Sequence, residues 1–81
     1  MYFVYIIRSD NNQVQTYIGY TNNLDRRINE HNSEDNVSYT ARYKPWQIVS
    51  YFAFADEAKA LDFERFLKSG SGNIFLKKRV I

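Results

Sequence analysis

The sequence predicts an α+β domain built on a small three-stranded sheet, mixed or antiparallel, flanked by helices. Three observations carry this reading. A continuous β-branched and aromatic run, Tyr2-Phe3-Val4-Tyr5-Ile6-Ile7, has the composition of a buried central strand. A stretch of alternating polarity from Val14 to Tyr20 follows a cluster of turn formers, Ser9-Asp10-Asn11-Asn12-Gln13, which is the pattern of a β-hairpin. Two later stretches then switch to helical spacing, with apolar or aromatic positions at 24, 28 and 31 and again at 60, 63 and 67.

Each element has a local reason. In the second strand Val14, Thr16, Ile18 and Tyr20 share one face. Asn22 or Asn23 caps the first helix through a side-chain oxygen, and Leu24, Ile28 and His31 form its inner stripe. The polar run Asn32 to Asn36 reads as a loop, and Val37 to Lys44 fits a short helix or an ordered loop. Pro45 bars a helix from continuing, and Trp46 to Phe54 reads as the third strand. Asp56 is placed to cap a helix through Lys68, with Gly70 as its stop and Ser69 to Asn73 as a turn. Ile74 to Ile81 is expected to form a terminal helix. The order is β-β-α-(α)-β-α-(α), and both long helices are expected on one sheet face, giving two layers.

At 81 residues the chain supports a single domain, 1–81. Seven Tyr, six Phe and one Trp supply the buried area that so small a core needs. With no Cys, disulfides and thiolate metal sites are excluded. The longest apolar run is too short to cross a bilayer and lacks a basic leader, so a soluble, unprocessed, cytoplasmic protein with no membrane contact is expected. Net charge is only +2, but its distribution is uneven. From Arg65 onward five basic residues (Arg65, Lys68, Lys77, Lys78, Arg79) meet no acid, which suits either a phosphate-binding face or an ordinary solvated tail.

Chemistry begins at the hairpin. If its turn centres on Asn11, Tyr5 and Tyr17 become directly opposite partners, with Gly19 on the same face leaving an empty space beside Tyr17. Paired phenols beside a gap form a reactive centre or simply pack. Arg27 and His31 lie at i and i+4 on one helical face. Arg27 is a phosphate fork or a surface charge. His31 is a proton carrier or a residue favoured by the helix C-terminus. Glu64 sits beside Phe63, Phe66 and Leu67, where a carboxylate needs a partner: a hard cation, or Lys68 at i+4.

Taken together these residues resemble a known family. Tyr5 within Phe3-Val4-Tyr5, then Tyr17-Ile18-Gly19, then Arg27 in a following helix and Glu64 in a later one are similar to the GIY-YIG nuclease domain. The most specific part is the block from Tyr17 to Leu24 followed by Arg27 and His31. Pro45-Trp46, and Ala60 ahead of Glu64 and Leu67-Lys68, add to the likeness, which covers nearly the whole chain. It is closest to the small single-domain members, and the same domain occurs in the nuclease subunit of bacterial excision repair. Phe3 departs from the family's usual Gly.

The resemblance implies hydrolysis of DNA phosphodiesters in repair or recombination, with one divalent cation, Mg²⁺ or Mn²⁺. Glu64 would hold the metal, Arg27 would stabilise the phosphate, and Tyr5 and Tyr17 would flank the attacking water, either serving as base. His31 would assist proton transfer. Asn73 would match a family Asn at a short spacing. Thr40, Arg42, Lys44 and Lys68 are candidate nucleic-acid contacts from their type and position. The alternative is a nucleic-acid-binding module with weak or partner-dependent cleavage, stacking bases on Tyr and gripping phosphates with Arg. A protein partner supplying targeting is a third expectation.

Overall fold

The computed structural model describes residues 1–12 and 15–81. Three strands, β1 (Tyr2–Ser9), β2 (Thr16–Thr21) and β3 (Trp46–Phe54), form one antiparallel sheet in the order β2-β1-β3. Helix α1 (Leu24–Asn32) follows the hairpin, and a short 3₁₀ turn, η1 (Tyr39–Tyr43), precedes β3. Helices α2 (Glu57–Leu67) and α3 (Gly70–Arg79) complete the chain. No helix among the described residues is long and apolar enough to cross a membrane.

The central place of β1 follows from its composition: Val4, Tyr5, Ile6 and Ile7 are all fully buried. Their alternation feeds two separate cores. Val4 and Ile6 pack with Ala60, Leu67 and Leu76 beneath α2 and α3. Tyr5 and Ile7 pack with Trp46 and, at its margin, Tyr17, Leu24 and Ile28 beneath α1. The expectation of both long helices on one face is therefore corrected. A continuous apolar strand has two faces to cover, so α1 and η1 take one and α2 and α3 take the other, in three layers.

The hairpin register also differs from expectation. Tyr5 lies opposite Gly19, and Ile7 lies opposite Tyr17. The reason is a wider turn. The buried Ser9 hydroxyl accepts from the amides of Asn11 and Asn12 and donates to the Tyr43 carbonyl, while Asn11 Nδ2 donates to the Lys44 carbonyl. These bonds tie the turn to the start of β3 and move the pairing by two residues. A shift of two keeps every side chain on its expected face. Thr16, Ile18 and Tyr20 do share one; Val14 lies outside the described residues.

The caps explain the helices. Asn23 accepts from the Arg26 amide and Asp56 from the Ala58 amide, as their positions predict. Gly70 does not act as a stop followed by a turn. Ser69 caps α3, so Ser69 to Asn73 opens that helix instead. The tight corner between α2 and α3 needs Gly72: a Cβ there would fall 1.8 Å from the Phe66 carbonyl oxygen.

Candidate active site

Three elements bring the chemistry together on the α1 face. Tyr5 projects from β1 across Gly19, whose missing side chain is filled by the phenol ring; a Cβ at Gly19 would fall 2.3 Å from Tyr5 Oη. The gap expected beside Tyr17 is thus occupied by Tyr5 itself. Tyr5 Oη lies 2.8 Å from His31 Nε2 in a buried hydrogen bond. Tyr17 completes the cluster, its ring centroid 5.2 Å from that of His31 and 6.4 Å from that of Tyr5. Tyr5 is fully enclosed, whereas Tyr17 is half-buried and reaches the surface.

His31 is held at both nitrogens. Its Nδ1 lies 2.8 Å from the hydroxyl of Thr40, which η1 delivers beneath α1. Thr40 Oγ1 accepts from Asn36 Nδ2 at 2.9 Å and sits 3.1 Å from Ser38 Oγ, whose own proton goes to Asn36 Oδ1. The Thr40 proton therefore has two outlets, Ser38 Oγ or His31 Nδ1. With the first, His31 carries its proton on Nδ1 and accepts from the Tyr5 hydroxyl. With the second, its proton is on Nε2 and Tyr5 becomes the acceptor. Trp46 fixes this corner, donating from Nε1 to the Thr40 carbonyl while its backbone is gripped by the Asn32 side chain.

Electrostatics follow the burial. Enclosure pushes the Tyr5 phenol up to about 12; the Arg27 guanidinium pulls against this, while Tyr17 and Glu64 add to it. Burial, reinforced by Arg27, pushes His31 down to about 4, so its imidazole is neutral at pH 7. Burial works against the charge of Arg27, but Tyr5 and Glu30 more than offset it and raise its pKa. Arg27 also bonds Glu30 at 3.1 Å. Glu64 comes from α2, on the other side of the sheet, yet its charge is felt at Tyr5 and at Tyr20. The tyrosines, Arg27 and His31 thus lie on the α1 face, and Glu64 is carried by the helix on the other face. Glu64 is mostly buried and ion-paired with Lys68 at 3.2 Å, so the expected i, i+4 partnership exists.

The remaining candidates sit elsewhere. Thr40 is 2% exposed with its hydroxyl committed to His31, which corrects its assignment as a nucleic-acid contact. Lys44 donates to the Ser33 carbonyl at 3.0 Å and ties η1 to the end of α1. Arg42 is exposed on η1. Lys68 and Asn73 line a cavity between β2 and the α2–α3 pair, away from the tyrosines. Asn36 and Ser38 were not among the sequence-derived candidates; the only signal was their spacing, polar residues at 36, 38 and 40 preceding a turn.

The fold, with tyrosines on its first two strands, an arginine on the next helix and a carboxylate on a later one, has the layout of a catalytic domain family. The GIY-YIG catalytic domain matches residues 1–78, and the chain belongs to that family. It is 34% identical over 68 residues to a UPF0213 protein of Haloquadratum walsbyi, covering 84% of this chain and 74% of that protein. A UPF0213 protein of Staphylococcus haemolyticus is 32% identical over 76 residues, covering 94% and 90%. The structure-specific endonuclease subunit SLX1 homolog of Giardia intestinalis is 37% identical over 62 residues, 73% of this chain but only 17% of that protein. The solution structure of a UPF0213 protein from Bacillus halodurans superposes with a TM-score of 0.55 at 31% identity, covering 96% of this chain and 84% of the other.

Proposed function

We propose that this domain is a divalent-metal-dependent endonuclease that hydrolyses DNA phosphodiester bonds, acting in repair or recombination with a protein partner that supplies targeting. The observation that carries the reading is the cluster of Tyr5, Tyr17, His31 and Arg27 built around the buried Tyr5–His31 hydrogen bond on the α1 face.

The residues fit a hard cation. Among the described residues no group of three or more His, Cys, Asp and Glu would cage a metal. A single carboxylate suits Mg²⁺ or Mn²⁺, which keep several waters and take substrate phosphate. To take the cation Glu64 would release Lys68, with which it is paired at 3.2 Å. When bound, the cation supplies Lewis acidity at the scissile phosphate.

The chain's own residues supply the rest. The Arg27 guanidinium, kept charged by its neighbours, offers N–H donors to the phosphate oxygens as negative charge develops. Tyr17 is the phenol that reaches solvent, and we assign it to the attacking water, which it orients and, having lost its own proton to solvent, deprotonates as the phenolate. Tyr5, fully enclosed, supports it from below. In the His31 tautomer protonated at Nε2, the imidazole donates to Tyr5, orients that phenol and stays uncharged. Thr40 is the residue that holds this tautomer, by donating to Nδ1.

The test is cleavage of labelled duplex, flap and junction DNA with Mg²⁺ or Mn²⁺, comparing wild type with Glu64→Ala, Arg27→Ala and Tyr17→Phe. Loss of cutting in all three supports the reading. Cutting by Glu64→Ala at the wild-type rate would remove the metal assignment. Binding without cutting under every metal condition would favour a nucleic-acid-binding module.

A further inference from the structure

The cavity behind the sheet edge, about 670 Å³ in volume, has a chemistry that the catalytic constellation does not use. It is lined by Arg8 and Thr16 from the hairpin, Lys68 at the end of α2, and Asn73 and Lys77 from α3, over a floor that includes Leu67 and Leu76. Three of its lining residues have cationic side chains and none an acidic one, and Ile18 and Ile81 also border it. Arg8 extends from β1 on the α2–α3 face, and its Nε is buried with no hydrogen-bond partner among the described residues. A buried guanidinium N–H left unbonded costs on the order of 1–3 kcal/mol, more when the group is charged. The residue as a whole is half-buried and lines the cavity, so its fork is fixed at the base while the side chain borders the open space.

The ligand has to be anionic, and a tetrahedral oxyanion matches the groups on offer. Arg8 brings a planar fork, Lys68 and Lys77 bring point charges, and Thr16 and Asn73 bring neutral donors. The cavity's position decides the source. Lys68 is both a wall of the cavity and the ion-pair partner of Glu64, one helical turn away on α2. Groups at i and i+4 stand roughly 5–6 Å apart. The cavity wall at Lys68 therefore begins about one helical turn from Glu64, a separation that a neighbouring phosphate on the same strand can span.

We infer that this cavity is a phosphate subsite for the substrate strand, holding a backbone phosphate that neighbours the one presented to Glu64, with Arg8 and Lys77 as its principal contacts. The assignment rests on the nuclease reading for the identity of the strand, and on the cavity's own chemistry for the phosphate. Such a contact positions the strand without reading sequence.

Binding, measured apart from cleavage, tests it. Fluorescence anisotropy of labelled DNA without divalent metal, over a salt series, gives the dependence of log K on log salt. Lys77→Gln, an exposed substitution that leaves the core untouched, and Arg8→Met are each expected to weaken binding several-fold regardless of sequence. Each should also lower the salt slope by about one. In parallel, the Nε–H resonance of Arg8 is followed by NMR as DNA or inorganic phosphate is added, and is expected to shift with both. If phosphate shifts the resonance while both variants bind DNA like wild type with an unchanged slope, the cavity serves a free phosphate and the strand assignment is overturned. If neither titration moves the resonance, the site itself is overturned. Wild type that binds with the expected slope but cuts nothing with any metal would sink the nuclease reading and leave the subsite standing.

Discussion

Replacing Gly19 by alanine is expected to disable the domain from a position that carries no chemistry of its own. The added Cβ would fall 2.3 Å from Tyr5 Oη, 2.4 Å from Cζ and 2.9 Å from Cε1, whereas ordinary contact begins at 3.4 Å. The phenol must therefore move by about 1 Å or more, and it is fully enclosed. That displacement stretches the 2.8 Å bond to His31 beyond useful length. Overpacking costs about 1–3 kcal/mol, and leaving the buried His31 Nε2 without its partner costs roughly another 1–3. The lower unfolded-state entropy of alanine offsets about 0.5–1 of this. A net loss of about 1–5 kcal/mol follows, or a fall in Tm of roughly 5–40 °C in a domain this small. Thermal melts followed by circular dichroism measure the first effect. Cleavage assays well below the melting point measure the second, expected at about 10²-fold or more because the phenol that supports the proposed site has moved by an ångström. A variant that melts within 2 °C of wild type and cuts DNA at the wild-type rate would show that the placement of Tyr5 over Gly19 is immaterial, and the site as described would be wrong.

Other expectations follow from the same geometry. Thr40→Val removes the hydroxyl shared by His31 and Asn36 and should cost about 1–3 kcal/mol in urea unfolding; its cleavage rate should fall at saturating DNA, since the imidazole loses the partner that sets its tautomer. The neutral state of His31 makes the fold acid-sensitive. Its pKa is near 4 folded and near 6.5 unfolded, so the unfolded chain binds more protons between those values. Stability from this residue is complete above about pH 6.5 and declines as pH falls to 4, by up to about 3 kcal/mol; His31→Gln should flatten that part of the profile if it folds, and an unchanged slope would contradict the assignment. Two glycines only two residues apart should respond oppositely. A Cβ at Gly70 meets nothing within 4 Å, so Gly70→Ala should raise stability by about 0.4–1 kcal/mol, while Gly72→Ala drives a methyl into the α2 backbone and should cost at least the upper end of the usual 1–3 kcal/mol for overpacking.

Much of this architecture was legible in the sequence because it rests on local rules. The apolar run of β1, the caps at Asn23 and Asp56, and the switch to helical spacing are properties of a few neighbouring residues. Tyr17, Arg27 and Glu64 were legible as a spaced set. What escaped depended on contacts between distant segments. The hairpin register is set by Ser9 reaching Tyr43, 34 residues away, so no reading of the turn alone could find it. The layering depends on which helix each face of β1 recruits. Thr40 looked like a surface hydroxyl because nothing in a polar segment announces that it will be carried beneath a helix to meet a histidine nine positions earlier. Gly70 misled for a related reason: a glycine after a helix usually ends it, but here Ser69 supplies a cap and a new helix begins at once.

The corner at Gly72 has one more consequence. With no side chain between them, α2 and α3 meet backbone to backbone, and nothing compressible lies in the joint. A displacement of α3 therefore passes to α2 almost undamped, and α2 carries the Glu64 carboxylate. The outer side of α3 presents Ile74, 58% exposed, and Lys78 to solvent. In mechanical terms α3 is a handle on the helix that carries Glu64.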